Sequence, residues 1–170
     1  LATSSAASDV YKRQAGGNFL VNPLAFQPGT QWEYGTNTDW LGILIEQRSG
    51  DRLVDYFDKN IFEPLGMKDT HFELPEDKLD RSVTMMARTE DQLTVSSFGQ
   101  PTAKDRHSLP FYSGGGGLYS TVENYGRVLQ MLLSAGTANG SQVLAAKTVD
   151  TMFHNHICLL YTSPSPRDTE

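Results

Sequence analysis

The residue best suited to chemistry in this sequence is Tyr34, which follows a Pro28-Gly29 turn and Trp32. A phenol can carry a proton between a nucleophile and a leaving group, but its ordinary pKa is about 10. A tyrosine that works as a base near neutral pH therefore needs ammonium groups beside it that favour the phenolate. Spacing alone favours turn or core packing for a Trp-x-Tyr pair, so chemistry at this tyrosine needs further support.

Motifs that would supply a nucleophile are missing from the printed sequence. The chain has no Gly-x-Ser-x-Gly elbow, and no serine has a lysine three residues later. The segment Lys147-Thr148-Val149 lacks the glycine of a Lys-Thr-Gly strand and indicates a surface helix. The residues alone thus offer a candidate proton carrier without an attacking group.

Four consecutive glycines, Gly114 to Gly117, form the most unusual stretch of the chain. They fit neither a phosphate-binding loop nor a dinucleotide fingerprint, because the residues that those motifs require are absent. The favoured interpretation is a main chain with unusual φ angles. The alternative is a pocket wall where a ligand approaches the backbone, with Gly115 and Gly116 as candidates.

Charged residues and histidines point to no metal, cofactor or nucleic acid. The pair His154-x-His156 has no carboxylate fixed by spacing, and His71 and His107 are expected to be solvated. The net charge is −6, and the sequence has no basic stripe that could neutralise the phosphates of a nucleic acid. No apolar run approaches the ~18–20 residues of a membrane span. The oligomeric state is left open.

Apolar periodicity predicts two helices in the first half of the chain. The first is capped by Asn37 or Thr38 and ends at Gly50, and the second starts near Asp51 and ends before Pro64. The side chains expected to face inward are Trp40, Leu41, Leu44, Ile45, Leu53, Val54, Phe57 and Ile61.

The second half is predicted to hold short strands, a turn and two further helices. Strands are expected at 84–87 and 93–95, and a turn at Asn139-Gly140. A capping box, Ser120 to Glu123, predicts the start of an amphipathic helix, and a short helix is expected over 147–153. The apolar face of the amphipathic helix is predicted to comprise Val122, Tyr125, Val128, Leu129 and Leu132.

Both ends of the sequence are expected to be non-native. Residues 1–14 look like translated sequencing-adapter DNA, and residues 158–170 fit the opposite strand of the same adapter. Residues 15–157 are then expected to be a partial domain of a longer protein. Cys158, the single cysteine, falls in the adapter and says nothing about redox compartment. The compartment is left open, with bacterial cytoplasm or periplasm expected.

Three ordered segments resemble the serine β-lactamase superfamily, which includes class C β-lactamases, D-alanyl-D-alanine carboxypeptidases and family VIII carboxylesterases. Residues 26–42 resemble its Tyr-x-Asn region, 61–70 its PLGM-x-D-T segment, and 115–121 its GGLYST stretch. The resemblance implies an α+β fold of the β-lactamase/transpeptidase type. Mainly the helical region of that fold, with short strands, is expected here.

The resemblance also implies roles for particular residues. Family members use a Ser-x-x-Lys serine to attack an acyl carbon, the Tyr-x-Asn tyrosine to move protons, and a Lys/His-x-Gly strand beside the oxyanion. Tyr34 matches the tyrosine and is implied as the general acid/base. The other two motifs are expected outside residues 15–157, so the chain itself is expected to be inactive.

One departure from the family pattern bears on the substrate. The asparagine position of the motif falls on Thr36, with Asn37 one residue later, and a hydroxyl cannot reproduce the donor geometry of an amide. This favours an esterase or another acyl hydrolase. Thr36, Asn37 and Tyr112 are the remaining pocket candidates, although core packing is the favoured interpretation of Tyr112.

The longer protein of which this chain is expected to be a part, here called the parent, is therefore expected to be a cofactor-free serine hydrolase. Its substrate is expected to be a small ester, amide or β-lactam. One alternative is a non-catalytic, ligand-binding relative of penicillin-recognising proteins, which would lack an upstream Ser-x-x-Lys. Another is an unrelated helical interaction domain, which would require the three matches to be chance. Helices built to cover a sheet are also expected to expose apolar faces in its absence.

Overall fold

The described part of the chain folds into helices and two small antiparallel hairpins, and the predicted α+β class is confirmed. The computed structural model describes residues 26–27, 29–30, 34–89, 92–96 and 99–156. The helical elements described are α1 (Asn37–Ser49), α2 (Leu53–Phe57), a π-helical segment (Asp58–Phe62), α3 (Glu63–Leu65), a 3₁₀ segment (Glu76–Arg81), α4 (Val122–Leu133) and α5 (Ala146–Met152). The strands described are β1 (Met86–Thr89), β2 (Gln92–Val95), β3 (Thr137–Ala138) and β4 (Ser141–Gln142).

Helix α1 begins at Asn37, so neither Asn37 nor Thr38 occupies the cap position. Thr36 is the N-cap, and its carbonyl oxygen accepts from the amides of Asp39 (3.0 Å) and Trp40 (3.1 Å). No side chain caps this end, so the predicted cap is wrong. The predicted end is confirmed, because Gly50 adopts φ 79° and its amide closes the last turn on Glu46.

The predicted inward face of α1 is wrong for three of its four residues. Trp40, Leu41 and Leu44 are 44%, 56% and 54% exposed, whereas Asp39 and Gly42 are the buried positions of the helix. The glycine-rich loop, residues 113–117, packs on the buried side, where it leaves no room for large side chains. The expectation that apolar helix faces would be exposed is confirmed for this helix.

The helical run from Leu53 to Leu65 continues past the point where it was predicted to stop. Pro64 occupies the first turn of α3, where a missing N–H costs little. Gly66 then adopts φ 67° and ends the run with a paired set of capping bonds, from its own amide to Glu63 and from Met67 to Phe62. A π-helical turn precedes the proline, and periodicity alone could not foresee it.

Two apolar clusters form the core of the described chain. The first contains Leu53, Val54, Phe72 and Tyr112, and the second Phe62, Leu65, Met67 and Met131. Phe57 packs against both, with ring centroids 5.6 Å from Phe72 and 5.8 Å from Phe62. One aromatic side chain on α2 thus joins the two clusters.

The hairpins correspond to the predicted strand and turn signals. Strands β1 and β2 pair antiparallel, with Met86 opposite Val95 and Thr89 opposite Gln92, so the second strand is confirmed and the first lies two residues later than predicted. The predicted Asn139-Gly140 turn joins β3 to β4. Both of its residues have positive φ, 49° and 77°, as tight hairpin turns require.

Helix α4 starts at Val122, but its cap is Thr121 rather than Ser120. The Thr121 hydroxyl accepts from the Asn124 amide at 3.2 Å, while Glu123 pairs with Arg127. The predicted capping box is therefore wrong by one residue. Of the predicted apolar face, Val128 and Leu132 pack against the second cluster, and the side chains left exposed are Val122, Tyr125 and Leu129. The short helix predicted over 147–153 is confirmed as α5.

Candidate functional site

Tyr34 lies three residues before the start of α1, outside any helix or strand, and is 77% exposed. Among the described residues, none forms a hydrogen bond with its hydroxyl. A side chain so exposed is not a core residue, and its ring is free to meet a ligand or another part of the parent protein. Its role as a proton carrier stays a prediction.

The next two candidates form the start of α1. Thr36 is half-buried, and its carbonyl oxygen accepts hydrogen bonds from amides of the first helical turn. Asn37 is the first helical residue and is exposed. Both therefore lie within three residues of Tyr34 on a segment whose backbone is fixed by the helix. Their contact with a substrate stays a prediction.

The glycine-rich loop, residues 113–117, lies directly against the first turn of α1. A Cβ atom on Gly114 would overlap the carbonyl oxygen of Thr38, and one on Gly115 would lie 2.8 Å from the Thr38 hydroxyl. Gly117 adopts φ 90°, which is the unusual backbone geometry predicted for this run. Gly116 is exposed on the loop. The structure thus brings Gly115 and the segment after Tyr34 together through α1.

Asp39 joins these two segments, and sequence reasoning did not single it out. It is 4% exposed, and its Oδ1 accepts from the Ser113 hydroxyl at 2.5 Å and from the Gly115 amide at 3.2 Å. An aspartate in the first turn of a helix usually indicates only a favourable helix-dipole contact. The downstream glycine run was the available signal that a second segment approaches this turn.

Tyr112 lies apart from this group, inside the first core cluster. It is 2% exposed, its ring stacks edge-on against Phe72 at 5.1 Å, and its hydroxyl donates to Glu73 Oε1 at 2.7 Å. Burial and the bond to Glu73 raise the pKa of Tyr112 to about 12, so this phenol stays protonated at physiological pH. A part for Tyr112 in a substrate pocket stays a prediction.

Glu73 is a second polar residue that the sequence did not reveal. It is 6% exposed and accepts from the amides of His107 and Leu109, each at 3.0 Å, and from Tyr112. Burial on its own would raise the pKa of Glu73, but these donors stabilise the carboxylate and hold the pKa below its usual value. Arg52 completes the group, donating to the Leu109 carbonyl at 2.6 Å and lying over the Tyr112 ring.

The sequence predicted that His71 and His107 are solvated, but both have polar partners in the structure. His71 is half-buried and its Nε2 lies 3.0 Å from the Lys78 ammonium, and burial followed by that charge lowers the pKa of His71. His107 is exposed but its Nε2 lies 2.9 Å from Asp55. Both histidines therefore belong to polar clusters away from Tyr34 in sequence.

The ion pairs of Asp69 predict a pH dependence of stability. Lys78 and then Arg81 bind this carboxylate, at 2.8 and 2.9 Å, and lower the pKa of Asp69 to about 2. Because this pKa is below its unfolded value of about 3.9, the pairs stabilise the fold above about pH 4, and that contribution is lost as the pH falls towards 2. Asp69→Asn should therefore flatten the decline of the urea midpoint between about pH 5 and pH 2.

The exposed Asp80, replaced by asparagine, is the control for that measurement. Equal pH slopes for the Asp69→Asn variant, the Asp80→Asn variant and the unmodified chain would contradict the assignment.

The described ranges contain no candidate metal site and no candidate membrane span. There, no three His, Cys, Asp or Glu side chains are grouped so as to hold a metal ion. None of the helices in the same part of the chain is long and apolar enough to cross a bilayer.

Comparison with known proteins gives a consistent family. Residues 6–157 match the family model described as beta-lactamase. The lovastatin esterase of Penicillium rubens is 34% identical over 140 residues, which are 79% of this chain and 33% of that protein. The monacolin J acid methylbutanoyltransferase of Aspergillus terreus is 35% identical over 140 residues, 79% of this chain and 32% of that protein.

Solved structures agree with the sequence relatives. The unliganded selenomethionyl simvastatin synthase of Aspergillus terreus superposes with a TM-score of 0.66 at 28% identity, covering 96% of this chain and 38% of that one. The chain spans about a third of the length of the curated relatives it matches. The predicted partial β-lactamase-like fold is confirmed, and the chain belongs to the beta-lactamase family within the serine β-lactamase superfamily.

Proposed function

We propose that the whole protein is a serine hydrolase or acyltransferase that acts on ester substrates through an acyl-serine intermediate. The observation that carries this proposal is the placement of Tyr34, exposed beside the start of α1 in the segment that matches the family's tyrosine motif. Esterase and acyltransferase names among the relatives support the same reaction class. No cofactor is required for this chemistry.

In the proposed reaction, a serine supplied by the parent attacks the ester carbonyl carbon. The serine proton passes to the Tyr34 phenolate oxygen, and the same proton then goes to the departing alkoxide, which leaves as an alcohol. The acyl-serine is next attacked by water or by a second alcohol, whose proton takes the same route. The first outcome is hydrolysis and the second is acyl transfer.

Ester chemistry is preferred over β-lactam chemistry because of Thr36. Its side chain provides a hydroxyl and a methyl where the family motif has an amide, so it offers one rotating donor in place of two fixed ones. A substrate that depends on an amide donor at this point would lose that contact. A small ester depends less on a hydrogen-bond donor at this position.

The chain alone is proposed to be inactive, because none of its serines has a lysine three residues later. Purified 170-residue chain should show no burst and no steady turnover of p-nitrophenyl butyrate or nitrocefin. The parent, expressed with its flanking coding sequence, should turn over the ester and yield an acyl-serine peptide in mass spectrometry.

Turnover by the 170-residue chain that disappears in Tyr34→Phe would refute its inactivity. Reversible ligand binding by the parent without any acylated serine would instead indicate the non-catalytic, ligand-binding alternative.

A further inference from the structure

The strongest unassigned feature of the candidate site is the buried carboxylate of Asp39. Its Oδ1 accepts from the Ser113 hydroxyl at 2.5 Å and from the Gly115 amide at 3.2 Å, and the residue is 4% exposed. The Ser113 hydroxyl also lies 3.1 Å from the Gly115 amide. Because one oxygen of this side chain accepts from both Ser113 and Gly115, the side chain fixes the loop locally.

The main chain of the same residue faces the other segment of the site. The Asp39 amide donates to the Thr36 carbonyl at 3.0 Å, and Tyr34 is only two residues before Thr36. Asp39 therefore binds the segment that carries Tyr34 through its backbone and the glycine-rich loop through its side chain. Thr36, two residues after Tyr34, and the glycine-rich loop are thus held by the same residue of α1.

The packing of the glycines makes this connection close. A Cβ atom on Gly42 would lie 3.4 Å from the Gly114 Cα, and one on Gly115 would lie 3.4 Å from Asp39 Oδ2. At Gly114 the loop backbone thus lies directly on the α1 backbone, and at Gly115 it lies against the side chains of Thr38 and Asp39.

We propose that Asp39 is a positioning residue, which sets the distance between the proton-carrying tyrosine Tyr34 and the glycine-rich loop at residues 113–117. The inference rests on the proposed function, because it assumes that Tyr34 moves protons during acyl transfer. Asp39 itself does not touch the substrate. Its effect is on the geometry of the groups that do, and displacement of such groups by about 1 Å can cost about 100-fold in rate.

The test uses the full-length parent protein with Asp39→Ala, Asp39→Asn and Ser113→Ala. The alanine at position 39 should lower kcat by about 10–100-fold with KM within about 3-fold. Asparagine keeps one carbonyl oxygen that can accept from both Ser113 and Gly115, so it should recover most of the loss. Ser113→Ala removes one of the two donors and should cost less than Asp39→Ala. The matched controls, Asp80→Asn and Ser49→Ala, change exposed residues outside the site.

The decisive measurement repeats these variants in a Tyr34→Phe background. If Asp39 acts by placing Tyr34, removal of the phenol hydroxyl should leave Asp39→Ala with less than about a 3-fold further effect on kcat. A purely structural residue would lower kcat by the same factor in both backgrounds, and that result would overturn the inference. Should Asp39→Ala fail to fold, Asp39→Asn and Ser113→Ala carry the same comparison.

Failure of the proposed function gives a different pattern. If Tyr34→Phe alone leaves kcat unchanged, Tyr34 is not the proton carrier, and the inference falls with it. If Tyr34→Phe lowers kcat severely but the double variant loses the product of the two single-variant factors, the proposed function stands. The positioning role of Asp39 is then wrong.

Discussion

Tyr34→Phe in the full-length parent is expected to lower kcat by about 10²–10⁴-fold while KM changes little. The magnitude is that of a positioned acid–base group, and a loss confined to kcat is typical of an interaction made only in the transition state. Tyr34 is 77% exposed, so loss of its hydroxyl removes no buried hydrogen bond from the described structure. Steady-state kinetics on a chromogenic short-chain ester, with the thermal midpoint measured in parallel, separates the catalytic from the structural effect.

Tyr125→Phe is the matched control, because this tyrosine is also exposed, at 61%, but lies on α4. It should change kcat by less than about 2-fold, as an exposed substitution outside the site does. Normal turnover in Tyr34→Phe, with activity abolished by alanine at an upstream serine, would assign proton transfer to another group.

Glu73→Ala is expected to destabilise the chain by about 3–5 kcal/mol. The substitution leaves three donors without their acceptor, the part-buried amides of His107 and Leu109 and the buried hydroxyl of Tyr112. The buried phenol costs about 1–3 kcal/mol when left unsatisfied, and each lost bond of a part-buried amide costs about 1 kcal/mol. The loss is a large part of the about 5–15 kcal/mol that stabilises a typical domain. Urea unfolding of the 170-residue chain, followed by tryptophan fluorescence, measures the shift.

Two milder variants test the same network. Glu73→Gln keeps one oxygen acceptor but turns an NH₂ group towards donors. It should therefore lower the free energy of unfolding, but by less than Glu73→Ala does. Tyr112→Phe removes one donor of the three and should cost less than Glu73→Ala. Glu76→Ala, at an exposed position of the 3₁₀ segment, should stay within about 0.5 kcal/mol of wild type. Equal shifts for Glu73→Ala and Glu76→Ala would show that the network contributes nothing.

Local signals in the sequence predicted the elements that depend on local chemistry. Gly50 ends α1 because a left-handed residue closes the last helical turn, and Asn139-Gly140 forms the turn that its residue types favour. The family motifs identified the fold, since their order along the chain is more specific than any single pattern. These features need only neighbours within a few residues.

The features that the sequence did not reveal depend on partners far along the chain. Asp39 meets Ser113 across 74 residues, and Glu73 meets Tyr112 across 39. Periodicity placed Trp40 and Leu44 inward because it counts apolar residues, whereas the glycine-rich loop decides which side of α1 is covered. Contacts made by folding back of distant segments leave no fixed spacing to detect.

The bridging position of Phe57 has a consequence for how the chain loses its order. Its ring borders both apolar clusters, so loosening one cluster removes packing atoms from the other. Damage at Leu53 or at Met131 would then be felt on both sides of a single benzyl group. Loss of this ring should therefore loosen both clusters at once and favour their melting together.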